Sequence, residues 1–189
     1  EGRDSRLFTF QMTFGGRLVK TFTESFLAGQ GSRSDMLGLS FADATQHLDQ
    51  VTLQDHRGPA TQSDLLYKTA LKERARAIYY GTVKVQKGAN KTDAFQTNKN
   101  LLLGGKAKAD SVPVLEIEAD DVRCSHAATV GPVEEEQVFY LMTRGLTREQ
   151  AERLLVEAFF EPLTARLPVE WLRERAWASL HQKMGVEGE

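Results

Sequence analysis

Residues 8–14, FTFQMTF, alternate strictly between apolar and polar: Phe8, Phe10, Met12 and Phe14 fall on one face, Thr9, Gln11 and Thr13 on the other. A period of two predicts a half-buried β-strand, because successive side chains on a strand point to opposite sides. Gly15-Gly16 ends it. Short runs follow at residues 18–22, 36–41, 51–53, 65–71, 75–80, 82–85 and 95–103, punctuated by Gly29, Gly31, Gly38, Gly58, Gly81, Gly88, Gly104 and Gly105. A strand roughly every 10 residues suits a sandwich, a barrel or a β-helix. No exact internal repeat chooses among them, and Asn90, Asn98 and Asn100 read as loop asparagines rather than rungs of a ladder.

After Gly131-Pro132 the period changes, which divides the chain into a β-rich part, residues 1–131, and a helical part, residues 132–189. Glu134, Glu135 and Glu136 sit where a first helical turn favours acids, since its unpaired N–H groups make that end positive. Val138, Leu141 and Met142 recur at helical spacing up to Gly145, a natural stop. Thr147 and Gln150 form a capping box. Ala151, Leu154, Leu155, Ala158 and Phe159 then make an apolar stripe that Pro162 interrupts. A last helix from Pro168 is expected to bury Val169, Leu172, Ala176 and Leu180, with a frayed tail from Gly185. Helices this short bury too little by themselves, so they must pack on the β part, dock a partner, or both.

The candidate chemistry lies at the junction, in VLEIEADDVRCSHAATVG at residues 114–131. Leu115, Ile117 and Ala119 set one face; continuing that parity would bury Asp121 and Arg123. A reversal at Asp120-Asp121 resets the register and puts Val122, Cys124, His126, Ala128 and Val130 together, with the aspartates as turn residues. On that apolar face Cys124 reads first as a core cysteine. His126 needs partners for its ring nitrogens. Residues two apart on a strand converge, so the thiolate and imidazole can share a metal, but they supply two of the roughly four ligands that zinc or an iron–sulfur centre takes. A second chain, or loops carrying His47 or His56, would complete the set. A nucleophilic Cys–His pair is the enzymatic alternative, with no third group identifiable.

Other patterns are excluded. LLLGGKAKAD has Gly-Lys but not the spacing or the Ser/Thr of a phosphate loop, and Asn90-Lys91-Thr92 is an accidental sequon match in a chain whose start, EGRDSR, is no secretory signal. The absence of a starting methionine suggests a fragment or processed product. One cysteine among 189 residues allows no internal disulfide and favours a reducing, cytoplasmic setting. The net charge of −2 is divided as +2 over residues 1–131 (17 Lys/Arg, 15 Asp/Glu) and −4 over residues 132–189 (7 and 11), which argues against nucleic acid. No apolar run approaches a membrane span. A β-helix enzyme that cleaves carbohydrate with paired carboxylates, such as Asp110, Glu118 and Asp120, is the runner-up.

Three segments resemble the SufB/SufD family of iron–sulfur cluster assembly proteins: SDLLYKTALKERARAIYYGTVKVQKGANKTDAFQTNKNLLLG (63–104), VPVLEIEADDVRCSHAATVG (112–131) and EEEQVFYLMTRGLTREQAERLLVEAFF (134–160). The CSHAATVG ending and the single cysteine fit the SufD side, since SufB carries a glutamate where this chain has Ala127. The resemblance implies a right-handed parallel β-helix followed by a small C-terminal helical domain. It implies a non-enzymatic scaffold that pairs with SufB through the β-helix and docks the ATPase SufC through its helices, for which Phe139, Tyr140, Arg144, Phe159 and Phe160 are the candidate contacts. Cys124 and His126 align with the residues at which a nascent, transient cluster is shared with SufB, none being expected on the isolated chain. Family members carry a further N-terminal helical region, so the chain is expected to be a core fragment. A truncated solenoid exposes an end and edges that favour homodimers.

Overall fold

The computed structural model describes residues 2–185 and is a parallel β-solenoid of about four turns followed by three helices. Its strands are β1 (Arg6–Thr13), β2 (Leu18–Leu27), β3 (Arg33–Ala42), β4 (His47–His56), β5 (Gln62–Lys72), β6 (Arg76–Val85), β7 (Thr92–Leu103), β8 (Lys108–Ile117) and β9 (Val122–Pro132). Consecutive strands never pair. The odd strands form one parallel sheet, β1-β3-β5-β7-β9, and the even strands another, β2-β4-β6-β8. Two strands therefore make one coil, and each coil stacks on the last in continuous register, as in Phe8↔Asp35 or Gln96↔His126.

The repeat invisible as sequence identity is present as backbone conformation. At one corner, Asp4, Gly31, Ala60 and Lys91 occupy successive coils, all with left-handed φ between 52° and 72°. Each amide pairs with the next coil, Asp4 with the Gln30 carbonyl, Gly31 with Pro59, Ala60 with Asn90 and Lys91 with Asp121. The corner needs that conformation whatever side chain stands there, and L-residues adopt it at a cost of about 1 kcal/mol or more. Substitutions at equivalent positions should thus have opposite signs. Lys91→Gly is expected to raise stability by up to about 1 kcal/mol, and Gly31→Ala to lower it by at least as much. Urea unfolding of both variants checks this, and a shift of the same sign in both would contradict the common corner.

The interior between the sheets is filled by side chains, many of them polar. Met36, Leu65, Tyr67 and Tyr79 form its apolar centre. Gln50, Thr52, Gln54 and His56 line the even-strand side, and Gln96, Asn98 and Asn100 the odd-strand side. Asn98 and Asn100 are thus interior residues of β7, not loop asparagines: Asn98 donates to the Tyr67 carbonyl and Asn100 to Asn98 and the Thr129 carbonyl. Gly38 and Gly81 lie inside β3 and β6 rather than ending strands. A Cβ on Gly38 would stand 2.5 Å from the Tyr67 ring, and one on Gly81 would collide with the Gln96 amide and the Tyr79 hydroxyl. These glycines make room for the tyrosines.

The outer face of the odd-stranded sheet is apolar and is covered by α1 (Glu135–Thr143), α2 (Arg148–Thr164) and α3 (Glu170–Lys183) only in part, chiefly by α2 and α3. Leu37, Leu39, Phe41 and Ala70 meet Val156, Phe160, Leu163, Ala176 and Leu180 in one core. This is why β3 is buried on both faces. Polar ties fix the docking: Arg166 binds Asp64 at 2.9 Å and Lys183 binds Asp43 at 2.6 Å. Pro162 does not end α2, which runs on to Thr164. It lacks the amide that would pair with the Ala158 carbonyl, and next to it Lys68 donates to the Phe159 carbonyl while lying 4.9 Å over that ring. Burial, reinforced by Lys99, lowers the Lys68 pKa to about 8. The Thr147 capping box forms as expected, and Gly145 takes a left-handed φ of 94° just after α1. The inward stripe of α2 is Ala151, Val156, Phe160 and Leu163, rotated from the expected one, so that Leu154 faces out. Val169, expected to be buried, is exposed. Beyond residue 185 the expected tail lies outside the described residues.

Candidate functional site at the end of the solenoid

Strand β9 is the last rung of its sheet and, among the described residues, pairs with β7 alone. The turn at Asp120-Asp121 restarts the register as the sequence pattern requires, and Cys124, His126, Ala128 and Val130 stack above Ala94, Gln96, Asn98 and Asn100. The lower four are all buried. Parity therefore points the upper four inward, yet Cys124 is only half-buried and His126, Ala128 and Val130 are exposed. Cys124 packs at the edge of the small cluster of Val83, Val85, Ala89 and Ala94, and the other three stand open to water. The face expected to be core is an interior face left open at the end of the stack.

Chemically, this end offers one sulfur and one imidazole. Burial pushes the Cys124 thiol above its usual pKa, the nearby Asp93 carboxylate adds to that, and a backbone hydrogen bond from Ala94 partly offsets both. A nucleophilic cysteine needs the opposite shift, so the Cys–His nucleophile gains no support. Metal coordination is different, because a metal drives off the thiol proton itself. Among the described residues no group of three or more His, Cys, Asp or Glu could hold a metal ion. His47 and His56 do not complete the set. His47 starts β4 in the other sheet, and His56 is wholly buried, its two ring nitrogens taken by Thr61 and Ser63. Sequence reasoning missed the buried Gln96 and the half-buried Ser111, each with an inaccessible side-chain oxygen that has no partner among the described residues. Gln96 lies one rung below His126, a relation that no local pattern in the sequence shows.

The aromatic residues assigned to a partner surface separate into two groups. Phe139 is 69% exposed and Tyr140 56%, on a helix that buries only Val138. The Arg144 guanidinium stacks 5.1 Å from the Tyr140 ring and donates to its hydroxyl at 3.2 Å. Beside them an apolar groove of about 410 Å³ runs between α1 and α2, lined by Tyr140, Leu141, Leu154 and Leu155. Phe160 must be withdrawn from the set: it is 0% exposed, in the core against the odd-stranded sheet. Phe159 is half-buried under Lys68 and packs on the same core. The rotation of the α2 stripe is the reason for the burial of Phe160.

Of the candidate carboxylates, Asp110 lies too far from Glu118 to share one glycosidic bond with it. Asp110 lies near the start of β8 and Glu118 just beyond its end. Eight residues of strand separate them by about 26 Å, against the roughly 5–10 Å that glycoside cleavage requires. Asp110 is also bound by Arg76 at 2.8 Å.

The fold and site together define a stacked parallel solenoid with an open terminal coil, carrying a thiol and an imidazole there and an exposed aromatic helix beyond it. A family model described as "SUF system FeS cluster assembly, SufBD core domain" matches residues 1–159. The chain belongs to the SufBD family of SUF iron–sulfur cluster assembly proteins. It is 38% identical to a SufBD family protein of Mycobacterium leprae, over 98% of this chain and 49% of that one. It is 35% identical to the iron–sulfur cluster assembly protein SufD of Escherichia coli, over 96% of this chain and 43% of that one. The corresponding figures for SufD of Bacillus subtilis are 33%, 97% and 42%. The chain thus spans a little under half the length of these relatives. Among the described residues no helix is long and apolar enough to cross a membrane.

Proposed function

We propose that the chain is the core of a SufD-like scaffold subunit that handles a nascent iron–sulfur cluster as cargo and catalyses no reaction of its own. The sister subunit SufB covers the open coil end, contributing the ligands that Cys124 and His126 lack. The exposed face of α1, with Phe139, Tyr140 and Arg144, docks the ATPase SufC. The setting is cytoplasmic, with neither nucleic acid nor membrane as partner, and the isolated chain can self-associate through the same uncovered end. The observation that carries this reading is the contrast across one rung: Gln96 is buried and His126, stacked directly on it in register, is not. An inward-facing ligand pair left open to water is half of an interface.

Two measurements test it. Size-exclusion chromatography of the chain with SufB and SufC should give co-eluting complexes, and three separate peaks would refute the partner assignment. In cells that depend on the SUF system, Cys124→Ala and His126→Ala in the complete subunit should each reduce iron–sulfur maturation towards that of a strain lacking it. Wild-type maturation in both variants would refute the site.

A further inference from the structure

The last complete coil holds polar atoms that the chain itself leaves unsatisfied. Gln96 is 1% exposed; its Nε2 donates to the Gly81 carbonyl at 3.1 Å, and its Oε1 has no partner. Across the interior, Ser111 Oγ on β8 is also buried without one. An orphaned buried acceptor costs about 1–3 kcal/mol, and folded proteins retain few of them. Of the two neighbours in register, one can supply a donor. On the rung below stands Leu65, which has no side-chain donor, and on the rung above stands His126, which has a ring N–H. Adjacent rungs of a ladder are about 4.8 Å apart, within reach of a glutamine–imidazole hydrogen bond. Gly81 leaves room for the glutamine, since any Cβ there would strike its amide.

We propose that Gln96 is a positioning residue for His126, its carboxamide oxygen accepting the imidazole N–H when the coil end is covered. This rests on the reading of that end as a partner-covered site. Once a partner excludes water, the His126 N–H and the Gln96 oxygen would each be buried unpaired; together they satisfy one another. The bond fixes which ring nitrogen carries the proton and leaves the other as a lone-pair donor aimed away from the stack. Ligating histidines are commonly oriented in this way by an oxygen acceptor on the opposite nitrogen.

The test uses the chain labelled with nitrogen-15 histidine in complex with unlabelled SufB, the His126 signals being identified by their loss in His126→Ala. Wild type and Gln96→Glu, which keeps an acceptor oxygen, should show one tautomer of His126. Gln96→Leu should show a mixture of both and a severalfold loss of iron–sulfur maturation in cells; Gln96→Met serves as a second variant if the branched side chain impairs folding. A tautomer in Gln96→Leu or Gln96→Met identical to wild type, in protein of unchanged melting temperature, would overturn the proposal. Full maturation in His126→Ala would instead overturn the partner-site reading, and the tautomer comparison would still decide the contact.

Discussion

Replacing Tyr67 with alanine is expected to destabilise the fold by about 3–5 kcal/mol, the range for truncating a fully buried aromatic ring. Tyr67 is 1% exposed, stands 5.8 Å from the Tyr79 ring and occupies the space that Gly38 leaves on the neighbouring rung. The other interior residues of those rungs are held by their own ladders, so the cavity cannot collapse cheaply. For a chain of this size that loss corresponds to a fall in melting temperature of roughly 10–15 °C. Differential scanning calorimetry checks it. Adding Gly38→Val to Tyr67→Ala should recover part of the loss by refilling the same volume, whereas Gly38→Val alone should be destabilising. A change of less than about 3 °C in Tyr67→Ala would mean that the interior is not packed around this ring.

Acid should weaken the protein through His56. Burial lowers its pKa from 6.5 to about 4, against a smaller opposing effect of Asp55. The hydrogen bonds explain why the neutral ring fits. Thr61 donates to the Gly58 carbonyl and so accepts from Nδ1–H at 2.7 Å, and Ser63, which accepts from Gln54, gives its own proton to Nε2 at 2.8 Å. A second ring proton would meet the Ser63 hydroxyl hydrogen. Above pH 6.5 both folded and unfolded chains carry the neutral ring, and His56 adds no pH dependence. As the pH falls from 6.5 to 4 the unfolded chain takes up a proton that the folded one refuses. Stability is lost across that window, by about 3 kcal/mol in total. Urea unfolding at pH 7 and pH 4 should show this loss in wild type, and His56→Gln should lose that much less. Equal losses in the two proteins would remove His56 as the cause.

The strands were legible in the sequence wherever one face is apolar and the other polar, as in residues 8–13 of β1. Their stacking was not legible from periodicity. Partners lie a whole coil away, and what repeats is a backbone turn at Asp4, Gly31, Ala60 and Lys91, four positions with no common chemistry; the resemblance to a family supplied the solenoid. Gly38 and Gly81 read as breaks because a sequence shows a missing side chain without showing the tyrosine that fills its place. Phe160 was misplaced because adjacent apolar residues Phe159 and Phe160 leave a helical stripe free to rotate by one position. For the site, parity correctly brought Cys124 and His126 to one face. Whether that face is covered depends on what is stacked beyond it, which no local pattern records.

The stacking also sets an order of events. Arg6 pairs with Arg33, 27 residues on, and Arg76 with Lys108, 32 residues on, so every rung closes a loop of about that length before its hydrogen bonds form. Non-local pairing of this kind folds slowly, and the helices, whose bonds are local, can form early and wait for a sheet to dock against. Rungs added to an existing stack are stabilised by it, whereas a terminal rung is held from one side only. The two terminal strands, β1 and β9, should therefore open more often than the rungs between them, so that the amide protons of β9 exchange with solvent well before those of β5 or β7. The residues that bear the candidate ligands lie on β9, so arrival of a covering partner would register first as slowed amide exchange along Val122–Pro132.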